Sequence, residues 1–169
     1  MCKLCVGTSF LLMTCLVINP AYAADKENEA DKAFMTKVAQ GNLFEIRAGE
    51  LAHKKTTSED VRKLATRLIV DHTANNVELK KLATKHNVEL PNELNEQQRK
   101  ELARLEKLSG PEFEQAYVEL MIKDHKADIA AFEKQIAASQ GDVKQFAEKT
   151  LPVLREHLKM AEETQKKLK

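Results

Sequence analysis

From Glu29 onward, apolar residues return every three or four positions, and glycines and prolines fall mostly at the ends of the segments so defined. A period near 3.6 buries one face of a helix. A strand needs a period of two, which the chain nowhere sustains. The rhythm predicts four long helices. The first runs from about Glu29 to Lys54, with Phe34, Val38, Gly41, Glu45, Ala48 and Ala52 on one face. The second runs from about Glu59 to His86 and aligns Val61, Ala65, Leu68, His72, Asn75, Leu79 and Leu82. The third opens at Gly110-Pro111 and aligns Tyr117 or Val118, Met121, His125, Ile129, Phe132 and Ile136. The fourth starts after Asp142, with Val143, Phe146 or Ala147, Thr150, Leu154, His157 and Ala161 in line.

Capping residues set the boundaries. Thr57 and Ser58 offer N-caps to the second helix, with Glu59 and Asp60 in its first turn. Asn95 with Gln98 caps a short connecting helix, Glu96 to Leu108. Asp142 with Gln145 suggests a similar box for the fourth helix, and Gly141 a stop for the third. Pro152 should kink or restart the fourth helix, because it removes a backbone hydrogen bond. The charged ADKENEADK stretch before the first helix should fray. The first and last helix pairs have short links and should be antiparallel. The middle link is long enough to cross the bundle. The expected fold is all-α, a ferritin-like four-helix bundle with a long crossover that carries a short extra helix.

The first 23 residues differ from the rest. Lys3 is their only charge, Leu4 to Ile18 is apolar, Pro20 ends the run, and Ala21-Tyr22-Ala23 is a small-residue cleavage pattern. An apolar run of about 15 residues falls short of the roughly 20 that span a bilayer. The segment reads as a signal peptide cleaved after Ala23, leaving one domain over residues 24–169. A membrane anchor and a lipoprotein signal at Cys15 are the competing readings. All three cysteines (Cys2, Cys5, Cys15) lie in this segment. The mature chain therefore has no thiol for a disulfide or a zinc–thiolate site, and its expected place is the periplasm or another extracytoplasmic space, with membrane association left open. Taking Lys3 from the 27 basic residues leaves 26, against 26 acidic ones. That balance gives no reason to expect nucleic acid as a partner. No further run is long enough to span a membrane.

Helical phase sorts the five histidines. His53 and His86 fall in the last turns of their helices, where a cation suits the helix C-terminus and solvent is close. Glu50 and His53 match the Glu-x-x-His spacing of di-iron bundles. Glu50, however, lies about 200° round the helix from the stripe. His72, His125 and His157 each fall on the apolar stripe near the middle of their helix, and so near the waist of the bundle. Glu45 brings a fourth polar group to that level from the first helix, flanked by Gly41 and Ala48.

Burying a lone carboxylate is costly, so these groups need partners. One solution is a metal ion: three imidazoles and a carboxylate form a donor set suited to zinc, copper or iron. The other is a metal-free network in which Glu45 and the histidines bond one another and fix the register of the bundle. The acids beside the histidines, Asp71, Asp124 and Glu156, sit about 100° round their helices. They can flank the site as partners of ligands on neighbouring helices, but solvent is the expected environment. Phe34, Phe113, Tyr117, Phe132 and Phe146 recur at helical spacing and read as core.

The stretches GNLFEIRAGELA, VRKLATRLIVDHTANNVELKKLA, LSGPEFEQAYVELMIKDH and LPVLREHL together resemble the bacterial proteins catalogued as domain of unknown function 4142, DUF4142. The resemblance runs from about Asp31 to Leu168. It implies a ferritin-like bundle exported from the bacterial cytoplasm, of a kind often labelled an outer-membrane protein, with no established activity. The di-iron enzymes of that fold carry Glu-x-x-His on two helices. Here Ile69, Ile122 and Leu154 stand three before the core histidines, so chemistry of that type is not expected.

Three functions fit. The first is an exported bundle that binds one transition metal through Glu45, His72, His125 and His157, serving metal handling or envelope stress. The second is a structural or interaction module of the cell envelope, with a protein partner there and a metal-free core network. The third is a mononuclear metalloenzyme with an open coordination position. No Ser/His/Asp set, phosphate-binding glycine loop or nucleotide fingerprint supports another enzyme class.

Overall fold

The computed structural model describes the chain from Pro20 to Leu168, with side chains from Glu29 onward. The helices are α1 (Pro20–Lys55), α2 (Glu59–Lys85), α3 (Glu96–Glu106), α4 (Gly110–Ala138) and α5 (Gly141–Lys167), and no strand occurs among the described residues. α1 begins well before the expected start at Glu29. The Ala-, Glu- and Lys-rich residues ahead of it are good helix formers and prolong the helix instead of fraying. Most of the leader lies outside the described residues, as do the side chains around its expected cleavage point.

Local signals explain most boundaries. The Ser58 side chain accepts from the Val61 N–H and caps α2. Asn95 and Gln98 form the expected capping box on α3. The start of α5 departs from expectation. Its N-cap is Gln140, which gives no side-chain hydrogen bond, and Gly141 opens the helix at φ +62. Asp142 is drawn away from capping by the end of α2, where it bonds Lys85 and His86. α5 also runs unbroken through Pro152, which is exposed, so the carbonyl it orphans can turn to water.

Contacts at the helix ends fix the topology. Asp60 near the start of α2 pairs with Lys167 at the end of α5 (2.7 Å), while His86 meets Asp142 (2.8 Å), so α2 and α5 are antiparallel. Lys55 at the end of α1 donates to the Glu106 and Leu108 carbonyls just before α4. Gln135 near the end of α4 bonds Asp31 in the first half of α1. α1 and α4 are therefore antiparallel too. α2 and α4 run in the same direction on a diagonal, which is what a connection crossing the bundle produces. Buried Glu114 of α4 ties the turn between α1 and α2, accepting from Thr56 Oγ1 (2.6 Å), Thr57 N (3.0 Å) and Ser58 N (2.9 Å). The two helices meet closely at Gly49, where a Cβ would lie 2.8 Å from Ile69 Cγ1.

The core has two apolar halves. One gathers Phe44, Leu64, Leu68, Phe113, Tyr117 and Met121, and the other Phe34, Met35, Leu79, Phe132, Phe146 and Leu154. Between them lies a layer of buried polar groups.

Candidate metal centre

Glu45 from α1, His72 from α2, His125 from α4 and His157 from α5 all reach this layer, none more than 4% exposed. The three ring centroids are 5.2, 5.3 and 5.8 Å apart. One ligand atom from each histidine can be chosen so that all lie within 4.8 Å of one another. His125 Nε2 is 3.2 Å from His157 Nδ1 and 3.5 Å from Glu45 Oε2, which is 2.9 Å from His72 Nε2. A tetrahedral ion with bonds near 2.0–2.1 Å has ligand–ligand edges of about 3.3 Å, so these separations match the scale of a metal site.

The outward nitrogens decide which way the rings present their lone pairs. His125 Nδ1 is 2.9 Å from the Met121 carbonyl, which only accepts, so that nitrogen carries the proton. His157 Nε2 is 2.7 Å from Asp71 Oδ2. Partial burial pushes the Asp71 carboxyl up, but hydrogen bonds from His157 and Arg67 outweigh this and hold it below the usual carboxylate range. Asp71 is therefore an ionised acceptor, and His157 Nε2 donates. His72 Nδ1 is 2.8 Å from Asn42 Oδ1. The Asn42 amide is oriented by donating to Asn75 Oδ1 (2.8 Å) and Asn76 Oδ1 (2.9 Å). Asn75 in turn donates to Thr150 Oγ1 at 3.1 Å. This chain leaves Asn42 Oδ1 as the acceptor and His72 Nδ1 as the donor.

Each imidazole thus spends its N–H on an outer oxygen, as metal-bound histidines commonly do. In the neutral rings, His72 Nε2, His125 Nε2 and His157 Nδ1 face inward as lone pairs. Burial lowers all three histidines, His72 and His157 to about 4, so they are neutral near pH 7. Glu45 joins them with neither carboxyl oxygen hydrogen-bonded. Its approach to His72 Nε2 is close in distance, but the alignment is not that of a hydrogen bond. The hydroxyl of Tyr117, also fully buried and close enough to feel the Glu45 charge, has no partner either.

The surroundings add negative charge. Burial, helped by the Glu45 charge, pushes the Asp124 carboxyl up to about 7 and that of Asp128 to about 6. For Glu45 itself burial again raises the pKa, opposed by His125. Lys123 beside Asp124 and Lys37 beside Asp128 offset part of this negative charge.

Two cavities reach the site. One of about 180 Å³ touches His72 and His157, and one of about 320 Å³ touches Glu45 on the other side, beneath the start of α3. The remaining histidines are elsewhere and are less solvated than expected. His53 bonds Thr66 (2.8 Å), linking α1 to α2, and His86 bonds Asp142. Glu50 pairs with Arg47, away from the site. Among the flanking acids, Glu156 is exposed and Asp124 half-buried. Asp71, expected to face solvent, instead bonds His157 on another helix. Asn42 was not anticipated, although its spacing of four from Val38 and three from Glu45 puts it on the buried face.

The family model described as Domain of unknown function (DUF4142) matches residues 18–164, nearly the whole chain. The chain belongs to the DUF4142 family. This DUF4142 protein matches no curated protein. Among solved structures it is similar to a DUF305 fragment from Deinococcus radiodurans, at 14% identity and a TM-score of 0.73, over 82% of this chain and 96% of that one. At that identity the likeness concerns the fold, an all-helical ferritin-like bundle. No helix among the described residues of the DUF4142 chain is long and apolar enough to cross a membrane.

Proposed function

We propose that this DUF4142 protein binds one transition-metal ion, zinc, copper or iron(II), through His72, His125, His157 and Glu45. The observation that carries this reading is the direction of the protons. Three imidazole N–H groups are committed to Asn42, Met121 and Asp71, so three lone pairs converge beside a carboxyl group whose oxygens have no hydrogen-bond partner. A cation is the species that such a set receives. Nitrogen and oxygen donors without thiolate suit all three metals and an oxidising compartment. The leader-like first 23 residues support a place outside the cytoplasm, where the protein would handle metal for the cell envelope.

A metal-free network is the second reading. It draws on the raised pKa of Glu45, whose protonated form can donate to His72. One experiment separates the two. The mature chain is purified, its metal content measured, and its melting followed with zinc, copper(II) or iron(II) at one equivalent. Metal binding predicts a bound ion and a higher Tm, lost in His125→Ala and kept in His86→Ala. No ion and no shift in the wild type defeat the reading in favour of the network.

A further inference from the structure

Of the two cavities that reach the site, the one of about 180 Å³ touches Asn42 and Asp71, which hold the outward nitrogens of His72 and His157. The one of about 320 Å³ lies between α1, α3 and α4 and is lined by Glu45. Glu45 Oε2 is 2.9 Å from His72 Nε2 and 3.5 Å from His125 Nε2, the nitrogens that face inward. This cavity therefore ends on a group of the site itself, and both oxygens of that group lack a hydrogen-bond partner.

Its wall is laid out along two antiparallel helices. A Cβ on Gly41 of α1 would stand 3.7 Å from Asp128 Oδ2 of α4, so these two residues face each other. Glu45 is one turn further along α1 and Asp124 one turn back along α4, so the second pair sits at the next level. Three carboxyl groups thus follow the cavity inward. Glu101, on the α3 side, is already paired with Arg104 (2.7 Å). Lys37 and Lys123 also line the wall, but both are exposed, whereas Asp124 and Asp128 are half-buried and Glu45 is buried. The positive groups stand at the rim and the negative ones inside. A cleft with one sign of charge on its inner walls concentrates ions of the other sign. Among the described residues, only the three histidines form a group with possible ligand atoms within 4.8 Å of one another. The acids of the cavity are spaced too widely to cage a bare ion, and about 320 Å³ has room for one that keeps several waters.

We infer that this cavity is the entrance of the metal centre: Asp128 and Asp124 draw in a hydrated divalent cation, and Glu45 takes it from water and passes it to His125 and His72. The inference rests on the metal reading above. Gly41 keeps the passage open, because a larger side chain there would project toward Asp128.

The test follows uptake by stopped flow with cobalt(II), whose visible absorption strengthens in a four-coordinate site. Release is followed by competition with EDTA, and equilibrium titration gives Kd. Gly41→Leu plugs the cavity and leaves every ligand in place. It should slow uptake and release by the same factor, with Kd unchanged. Asp124→Asn combined with Asp128→Asn should slow uptake by about tenfold and weaken its dependence on salt, as loss of electrostatic steering does. Glu78→Gln combined with Glu156→Gln removes two acids on the side of the other cavity and should leave uptake unchanged. The aspartate pair carries the test if Gly41→Leu does not fold. Wild-type uptake in either cavity variant overturns the entrance and leaves the metal reading standing. So does equal slowing in the Glu78 and Glu156 pair, or loss of bound cobalt at equilibrium in the aspartate pair, which would make those acids ligands. A wild type that takes up no cobalt overturns both.

Discussion

Asp71 precedes His72 in the chain but bonds His157, across the α2–α5 interface, at 2.7 Å. It is itself held by Arg67 at 2.5 Å. A carboxylate in this position orients the ring and strengthens its donor nitrogen. Asp71→Asn should keep the fold, since the side chain is only partly buried, and weaken metal affinity by about 10- to 100-fold. Isothermal titration with zinc checks this, and an unchanged affinity would remove Asp71 from the site. Legibility at this scale was uneven. The core histidines His72, His125 and His157 announced themselves because an apolar stripe makes a polar residue conspicuous. Asp71 did not, because its partner lies on a helix 86 residues away in the chain, and only the approach of α5 turns an off-stripe acid inward. Asn42 was missed for a different reason: it shares the buried face with Glu45, but asparagine among other polar residues does not mark a helical phase.

At the scale of the helix, the join between α2 and α5 is the clearest case of competition. Asp142 has the position and chemistry of an N-cap, yet Lys85 and His86 take it, and their bonds lower its carboxyl to about 2. A depressed carboxylate stabilises the fold above its ordinary pKa of 3.8 and stops doing so as pH falls toward 2. Wild type should therefore exceed Asp142→Asn in stability at neutral pH, by about 1 kcal/mol or less because the pair is largely solvated. The gap should close between pH about 4 and 2. Urea unfolding of both proteins at several pH values measures it, and a gap that persists at pH 2 would assign it to another cause. Apart from the early start of α1, helix extents were readable because caps and periodicity are local. The start of α5 was not, because the choice between capping and pairing depends on where α2 ends in space. Pro152 does not restart the helix, since an exposed site on an otherwise well-packed helix absorbs one lost bond.

For the molecule as a whole, the polar layer is a stability cost that sits between two apolar clusters. Glu45 is buried with no hydrogen bond to either oxygen. Replacing a buried unpaired carboxylate with an apolar group of similar volume removes a desolvation penalty. Glu45→Leu should therefore raise the metal-free stability by about 1–3 kcal/mol, and the Tm by several degrees for a chain of this length. It should also reduce or abolish stabilisation by added metal. For comparison, an ion at one hundred times its Kd stabilises the native state by about 2.7 kcal/mol. Calorimetry with and without zinc tests both halves. A metal-free Glu45→Leu protein less stable than wild type would mean that Glu45 is well paired without an ion.

The antiparallel pairing of α2 with α5 has a consequence for how the chain reaches this structure. Glu45 and His72 belong to the α1–α2 hairpin, and His125 and His157 to the α4–α5 hairpin, so neither hairpin owns a complete site. Each hairpin is built from contacts near in sequence and can form early. The four polar side chains leave water only when the two halves dock. That step carries their dehydration, a cost that an ion captured there would offset. Folding kinetics should then show a late phase whose rate depends on metal, while hairpin formation proceeds at the same speed with or without it.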